Sequence, residues 1–217
     1  MIKHAVPANA PVRNEWFVCG DRAYEFKQNT KVAHSKLKEK GWKLTENKYR
    51  KTDAGVTHRL KFDILVNEDN QTRVNLAQAV KKNLEEFGMD VTVTKVPYEI
   101  YIERISGGQY DAFVGSYLVP ADIYTGFVFA LNYAPGFYND SLSAAMLQIS
   151  NSKSREEIIK NYESVITMFN HMNPVIGLMF ENQTMLYNNS VSGNLTPTYY
   201  NIYNGMAGLS VKGDDGK

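Results

Sequence analysis

The most regular hydrophobic pattern lies between residues 60 and 96. Leu60, Phe62, Ile64 and Val66 alternate with Lys61, Asp63 and Leu65, the period of a strand, and Asn67-Glu68-Asp69-Asn70 closes it as a polar turn. Val74, Ala77, Val80, Leu84 and Phe87 then recur at helical spacing until Gly88 stops the helix. Val91, Val93 and Val96 follow as a second strand, so the segment reads as a βαβ unit with parallel strands and a right-handed crossover. Pro97 ends that strand, and Tyr98, Tyr101, Ile102 and Ile105 predict a short helix closed by Gly107-Gly108. From Tyr110 to Tyr117 the chain is nearly continuously apolar at its centre, as a buried parallel strand is.

The flanks are patterned less strongly. Residues 1–30, with Pro7, Pro11, Trp16, Phe17, Tyr24 and Phe26, follow neither period and read as an irregular lead-in. A short helix is expected from Lys31, with Val32, Ala33 and Leu37 on one face and Gly41 ending it. Pro120 to Tyr138 is aromatic and matches no period. Asp140 precedes Leu142, Ala145, Met146 and Ile149, and Ser154 with Glu157 forms a capping box ahead of Ile158, Tyr162, Val165, Ile166 and Phe169, which predicts two core-facing helices. Pro174 to Phe180 reads as a last apolar strand, Asn182 to Tyr203 is rich in Asn and Tyr, and residues 213–217 read as a flexible tail.

Composition changes this picture in a few places. With 217 residues, 43% hydrophobic and 22% charged, the chain is long enough to bury its own core. Its 24 Lys+Arg against 23 Asp+Glu argue against a general nucleic-acid binder. The exception is local: eight lysines or arginines lie between Lys31 and Lys51 against Glu39 and Glu46, with Trp42 and Tyr49 among them, which reads as a solvated helix and hairpin or as a stacking nucleic-acid patch. A single cysteine, Cys19, excludes an internal disulfide and a CxxC metal knuckle. No apolar stretch approaches a membrane span, and the first residues lack the zones of a signal peptide, so the expectation is a cytoplasmic chain or a piece of a longer protein.

Enzyme signatures are missing. The chain has no GxxxxGK[ST], no strand-linked GxGxxG, no GxSxG and no HExxH, and His4, His34, His58 and His171 have no His or Cys at ligand spacing. The expectation is therefore no catalytic residues, no metal and no cofactor. A grouping of Asp111, Asp122, His171 and Glu181 into a hydrolase or transferase site has no supporting spacing. Tyr187, Tyr199, Tyr200 and Tyr203 support another alternative, a stand-alone interaction or carbohydrate-binding module.

Several segments in order resemble the extracellular solute-binding protein family 5, the peptide-, dipeptide- and nickel-binding components of ABC importers. Val32-Ala33, Leu37-Lys38 and Lys40-Gly41-Trp42 resemble that family's "A-x-x-L-L-x-x-A-G-W" helix end. Leu76-Ala77-Gln78-Ala79-Val80, Leu84, Phe87-Gly88-Met89 and Val91-Thr92-Val93 are similar to its helix, glycine and "V-x-V" strand. Tyr101, Gly108, Tyr110-Asp111-Ala112 and Gly115 match its "Y-x-x-x-[IL]-x-x-G-x-Y-D-A-x-x-x-G" stretch, and Asn173-Pro174-Val175-Ile176-Gly177-Leu178 its "D-x-P-x-I-P-L" strand.

The resemblance implies an α/β fold: one lobe of a periplasmic binding protein-like (type II) fold, a mixed sheet with βαβ units and flanking helices. Residues 1–217 would form a single lobe, the second large lobe of a two-lobed protein, whose first lobe belongs to the same longer polypeptide. The implied partners are a small peptide or other solute and, through the full-length protein, ABC permease subunits, with no nucleic acid. The implied location is extracytoplasmic, periplasmic or lipid-anchored. Ligands of parallel sheets sit beyond the carboxyl ends of the strands, here Asn67 to Asn70 and Ser116 to Tyr124, so the expected ligand contacts are Asn67, Asn70, Ser116, Tyr117, Val119, Asp122 and Tyr124. Peptide-binding members carry a Trp after the Gly and then an Asp that pairs with the peptide α-amine. Here Ser116 follows Gly115, the Asp slot falls near Val119, and Asp122 is either a shifted substitute or a helix N-cap before Ile123-Tyr124.

Overall fold

The computed structural model describes residues 5–8, 28–120, 122–132, 134, 136–182, 185–198 and 200–211. Most of the expected lead-in, with His4 and Cys19, lies outside the described residues, as do Tyr199 and the expected tail 213–217. The chain divides into two compact units: one comprises the described residues of 1–24, 119–128 and 140–217, the other those of 25–118 and 129–139.

In the first unit, β1 (Ala5–Pro7), within the expected lead-in, pairs antiparallel with β8 (Met179–Glu181) in the register Val6 to Phe180. The expected strand from Pro174 is thus shorter than its apolar run. Asp122 caps α4 (Ile123–Asn132), of which residues 123–128 belong to this unit, a helix that the sequence pattern misses because it is apolar around most of its circumference and has no polar face to set a period. The next two helices lie where the sequence places them. α5 (Asp140–Ser150) buries Leu142, Met146 and Ile149, and α6 (Arg155–Met172) buries Tyr162, Val165, Ile166 and Phe169. Phe127 of α4 packs its ring 5.9 Å from Tyr162 and 5.7 Å from Phe169. At the start of α6, Ser154 Oγ accepts from the Glu157 N–H at 3.2 Å, while the Glu157 carboxylate accepts from the Lys153 N–H, one residue ahead of the cap. A two-stranded ladder of β9 (Val191–Ser192) and β10 (Ser210–Val211) closes this unit.

The second unit begins with α1 (Thr30–Glu39), capped by Asn29, whose side chain accepts from the Val32 N–H. An antiparallel three-stranded sheet follows: β2 (Lys43–Thr45), β3 (Lys48–Asp53) and β4 (Val56–Arg59). The parallel sheet holds β5 (Lys61–Asn67) at its centre, flanked by β6 (Asp90–Val96) and β7 (Ala112–Phe113). β5 and β6 run in full register from Lys61 opposite Asp90 to Asn67 opposite Val96. α2 (Gln71–Phe87) connects them, and its apolar positions Val74 and Ala77 pack with Ile64, Val66, Val91 and Val114 into one core. Gly88 ends α2 at φ 107°, and a Cβ there would lie 2.9 Å from Leu44 Cδ1 and 3.2 Å from the Asn47 carbonyl, so this position requires glycine. α3 (Tyr98–Ser106) leads into β7, whose ladder covers Ala112 and Phe113 and is extended by the Val114 N–H donating to the Leu65 carbonyl at 3.1 Å. The eight-residue strand expected from Tyr110 to Tyr117 is therefore reduced to its centre.

The antiparallel sheet docks onto this parallel core through Tyr49. Its backbone N–H donates to the Gly88 carbonyl and its carbonyl accepts from the Leu60 N–H. Its buried ring lies beside the stacked rings of His34 and Phe87, its hydroxyl is hydrogen-bonded to His34 Nδ1, and burial pushes that hydroxyl above the usual tyrosine range.

Candidate ligand-binding site

The carboxyl ends of the parallel strands gather a polar cluster inside the second unit. Asn67, the last residue of β5, is 3% exposed, the one buried polar residue among those described. A buried amide must have its hydrogen bonds satisfied: Asn67 Nδ2 donates to Asp69 Oδ1 at 2.7 Å and its Oδ1 accepts from Arg73 Nη1 at 2.8 Å. Asn70 caps α2, accepting from the Arg73 N–H at 3.0 Å. Arg73 Nη2 donates to Ser116 Oγ at 2.7 Å, which ties the end of β5 to the segment after β7. Beneath the guanidinium lies the Tyr101 ring, 5.7 Å from centroid to Cζ, and the Tyr101 hydroxyl donates to the Val114 carbonyl at 2.9 Å.

Arg73 and Tyr101 are not expected as site residues from the sequence. The available signal was electrostatic: α2 has no acidic residue in its first turn, and Arg73 sits there against the helix dipole. Among the described residues, the guanidinium of Arg73 donates to two neutral oxygens. Among the described residues, no carboxylate lies within ion-pair distance of it.

Of the seven expected contacts, Asn67, Asn70, Ser116 and Tyr117 belong to the second unit, and Val119, Asp122 and Tyr124 to the first. Asn67, Asn70 and Ser116 are joined by Arg73; Tyr117 is half-buried. Asp122 acts as a helix cap: its Oδ2 accepts from the Thr125 N–H and the Thr125 hydroxyl, each at 2.6 Å. Val119 is engaged by its backbone, since the Tyr200 hydroxyl donates to the Val119 carbonyl at 2.7 Å and reaches the Pro120 carbonyl at 3.1 Å. One tyrosine of the Asn/Tyr-rich segment therefore holds a loop, while Tyr187 and Tyr203 are exposed.

The residues of the hydrolase alternative are spent separately. Asp111 accepts from the Asp63 N–H at 2.9 Å and pins the entry of β7 to β5, Asp122 caps α4, His171 lies in the last turn of α6 and Glu181 ends β8. Among the described residues no three His, Cys, Asp or Glu side chains are grouped as a metal site. No helix among them is long and apolar enough to cross a membrane.

A parallel βαβ core flanked by helices gives the chain an α/β fold similar to that of type II periplasmic binding proteins. A model of the bacterial extracellular solute-binding proteins, family 5 (middle region), matches residues 1–136, and the chain belongs to that family. No curated protein sequence matches it. Among solved structures, it is similar to NikZ from Campylobacter jejuni in complex with Ni(L-His), at 20% identity and a TM-score of 0.66, over 88% of this chain and 39% of that one. It is similar to a mannohexaose-bound periplasmic oligopeptide-binding protein from Thermotoga maritima, at 16% identity and TM-score 0.68, over 96% and 45%. Lactococcal OppA complexed with an endogenous peptide aligns at 19% identity and TM-score 0.66, over 82% and 35%. The chain thus spans less than half the length of each of these proteins. The family is one of solute-binding proteins, so the class expected from the sequence motifs stands.

Proposed function

We propose that this chain is part of the substrate-binding component of an ABC importer, a non-catalytic lobe that presents one wall of a ligand cleft outside the cytoplasm. The full-length protein would close a first lobe over the ligand, and a permease would recognise the closed form. The proposed ligand end is the carboxyl end of β5, β6 and β7, where Arg73 joins Asn67, Asn70 and Ser116, with Tyr117 next in sequence as a further candidate contact.

The observation that carries this reading is Arg73, a guanidinium held in place by two neutral oxygens with no carboxylate beside it among the described residues. A cation so placed favours a ligand with an anionic group, such as a peptide carboxylate or an amino-acid chelate, over a neutral sugar. Both kinds of anionic ligand occur among the structural relatives: lactococcal OppA holds a peptide and NikZ holds Ni(L-His). Asp122 belongs to this reading as a helix cap, and Val119 and Tyr124 as candidate ligand contacts carried by the first unit.

The test is a titration of the isotopically labelled chain with a short peptide, watched by nuclear magnetic resonance. One wall of a cleft binds weakly, so the expected affinity is about millimolar. Shifts should centre on the amides of Asn67 to Arg73 and of Ser116. Amidation of the peptide carboxyl terminus or Arg73→Gln should reduce them, and Arg73→Lys should keep part of the effect. Tight stoichiometric binding, or shifts confined to the Asn/Tyr-rich segment, would overturn the proposal.

A further inference from the structure

The basic span is left unused by a ligand site at the carboxyl ends of the strands. Between Lys31 and Lys61 the sequence carries ten lysines or arginines against Glu39, Glu46 and Asp53, in a chain whose totals are 24 and 23. The remainder is therefore net acidic. All ten cations lie on α1, the antiparallel sheet, the turns beside them and the first residue of β5, within the second unit.

Register stacks them. Lys43 lies opposite Arg50 and Arg50 opposite Arg59, which puts a row of three cations across one face of the sheet, and Lys51 lies opposite His58 on the other. Like charges directly opposite each other destabilise a sheet. Their relief within the described residues is partial: Glu46 pairs with Arg50 at 3.0 Å, and Asp90 pairs with Lys48 at 2.8 Å and with Arg59 at 3.8 Å. Lys36, Lys38 and Lys43 are exposed and have no carboxylate within ion-pair distance among the described residues. Three exposed apolar side chains, Val32, Leu44 and Val56, lie on the same elements, Leu44 and Val56 on the sheet face opposite the Lys43–Arg50–Arg59 row.

We propose that this surface docks on a bilayer rich in anionic phospholipid headgroups. Eight of the ten cations are lysines. Lysine is a hydrated point charge that needs no fixed partner geometry, and it is depleted from protein–protein interfaces, where arginine and aromatic residues are enriched. Clustered lysines with little internal neutralisation instead suit a phosphate-bearing surface. The contact is peripheral, since no described helix could span a membrane. Lys61 and Asp90 begin β5 and β6, so the basic surface adjoins the amino ends of the parallel strands. A strand of that length separates it from the Asn67 end by about 20 Å, and docking leaves the proposed ligand end uncovered. The inference does not depend on the ligand reading.

The test is co-sedimentation of the whole chain with phosphatidylcholine vesicles, with and without about a third of the lipid as phosphatidylglycerol. Binding is expected only with the anionic lipid and should weaken about tenfold or more when salt is raised from low to high ionic strength. The combined variant Lys36→Gln, Lys38→Gln, Lys43→Gln should bind about tenfold more weakly. Arginine at the same three positions should restore binding. A control with the same loss of charge in the other unit, Lys153→Gln, Arg155→Gln, Lys160→Gln, should bind like the unaltered chain. No binding to anionic vesicles at low salt, equal binding to neutral ones, or equal weakening by the two triple variants would overturn the proposal.

Discussion

The segment 61–96 and the segment 174–211 are of similar length and are built in opposite ways. The first is a seven-residue parallel ladder closed by a seventeen-residue helix, with Ile64, Leu65 and Val66 almost fully buried. The second has strands of two or three residues and leaves Ile176, Leu186, Tyr187, Tyr203 and Val211 exposed. Its order comes from turns and single side-chain bonds, such as Asn204 Nδ2 to the Thr196 carbonyl at 2.9 Å and Tyr200 to the Val119 carbonyl at 2.7 Å. The difference teaches that apolar content alone does not make a core: the two segments are separated by whether apolar positions repeat at the period of the element that holds them.

The largest expected effect tests that contrast directly. Leu65→Ala removes a side chain with 0% exposure from the central strand and should cost about 3 kcal/mol. Leu186→Ala, at 87% exposure, should stay within about 0.5 kcal/mol of the parent. Urea unfolding of the two variants checks this, and similar losses for both would break the comparison. Glycine substitutions sharpen it. Gly88→Ala meets Leu44 and the Asn47 carbonyl at a positive φ and should cost about 2 kcal/mol. Gly193→Ala would put Cβ 2.5 Å from the Gly208 carbonyl oxygen at φ 123°, yet its damage should stay local to the β9–β10 ladder. Amide exchange tells them apart: the first should speed exchange throughout β5 and β6, the second only near residues 191–211.

The smallest effect is on acid stability. Lys48, which donates a hydrogen bond to Asp90, and the charges of Lys48, Arg59 and Arg50 hold the Asp90 carboxyl below the usual carboxylate range. A carboxyl whose pKa is depressed on folding contributes stability above its unfolded pKa and loses it as pH falls through the folded one. Asp90→Asn should therefore be less stable than the parent at neutral pH, and the gap should close in strongly acid solution. A gap that persists unchanged would assign the loss to packing instead of charge.

The elements with intact periods were legible. Leu60 to Val96 is found as β5, α2 and β6, because alternation and the 3.6-residue repeat report burial that local geometry already imposes. The Ser154 cap, read from its capping box, acts through a bond spanning three residues, and the structure adds caps of the same span at Asn29 and Asn70. What stayed hidden depends on distant partners. α4 shows no polar face, so nothing marked it as a helix. β7 is shorter than its apolar run, since pairing needs β5 beside it. Among site residues, the strand-end rule placed Asn67, Asn70 and Ser116 near one another, but Arg73, which bonds to all three, lies on a helix with no motif around it.

By itself the sequence determined the βαβ unit, its turn at Asn67 to Asn70, the capping box at Ser154 and, through motif order, the family. Only the tertiary structure decided that Arg73, bonded to Asn67, reaches Ser116 across 43 residues of sequence, that Asp122 is used as a cap, and that Lys43, Arg50 and Arg59 line up across three strands. The reason is range: periods and caps act over a few residues and are written locally, whereas the charge and hydrogen-bonding state of a side chain depends on which distant segments folding brings within about 3 Å of it.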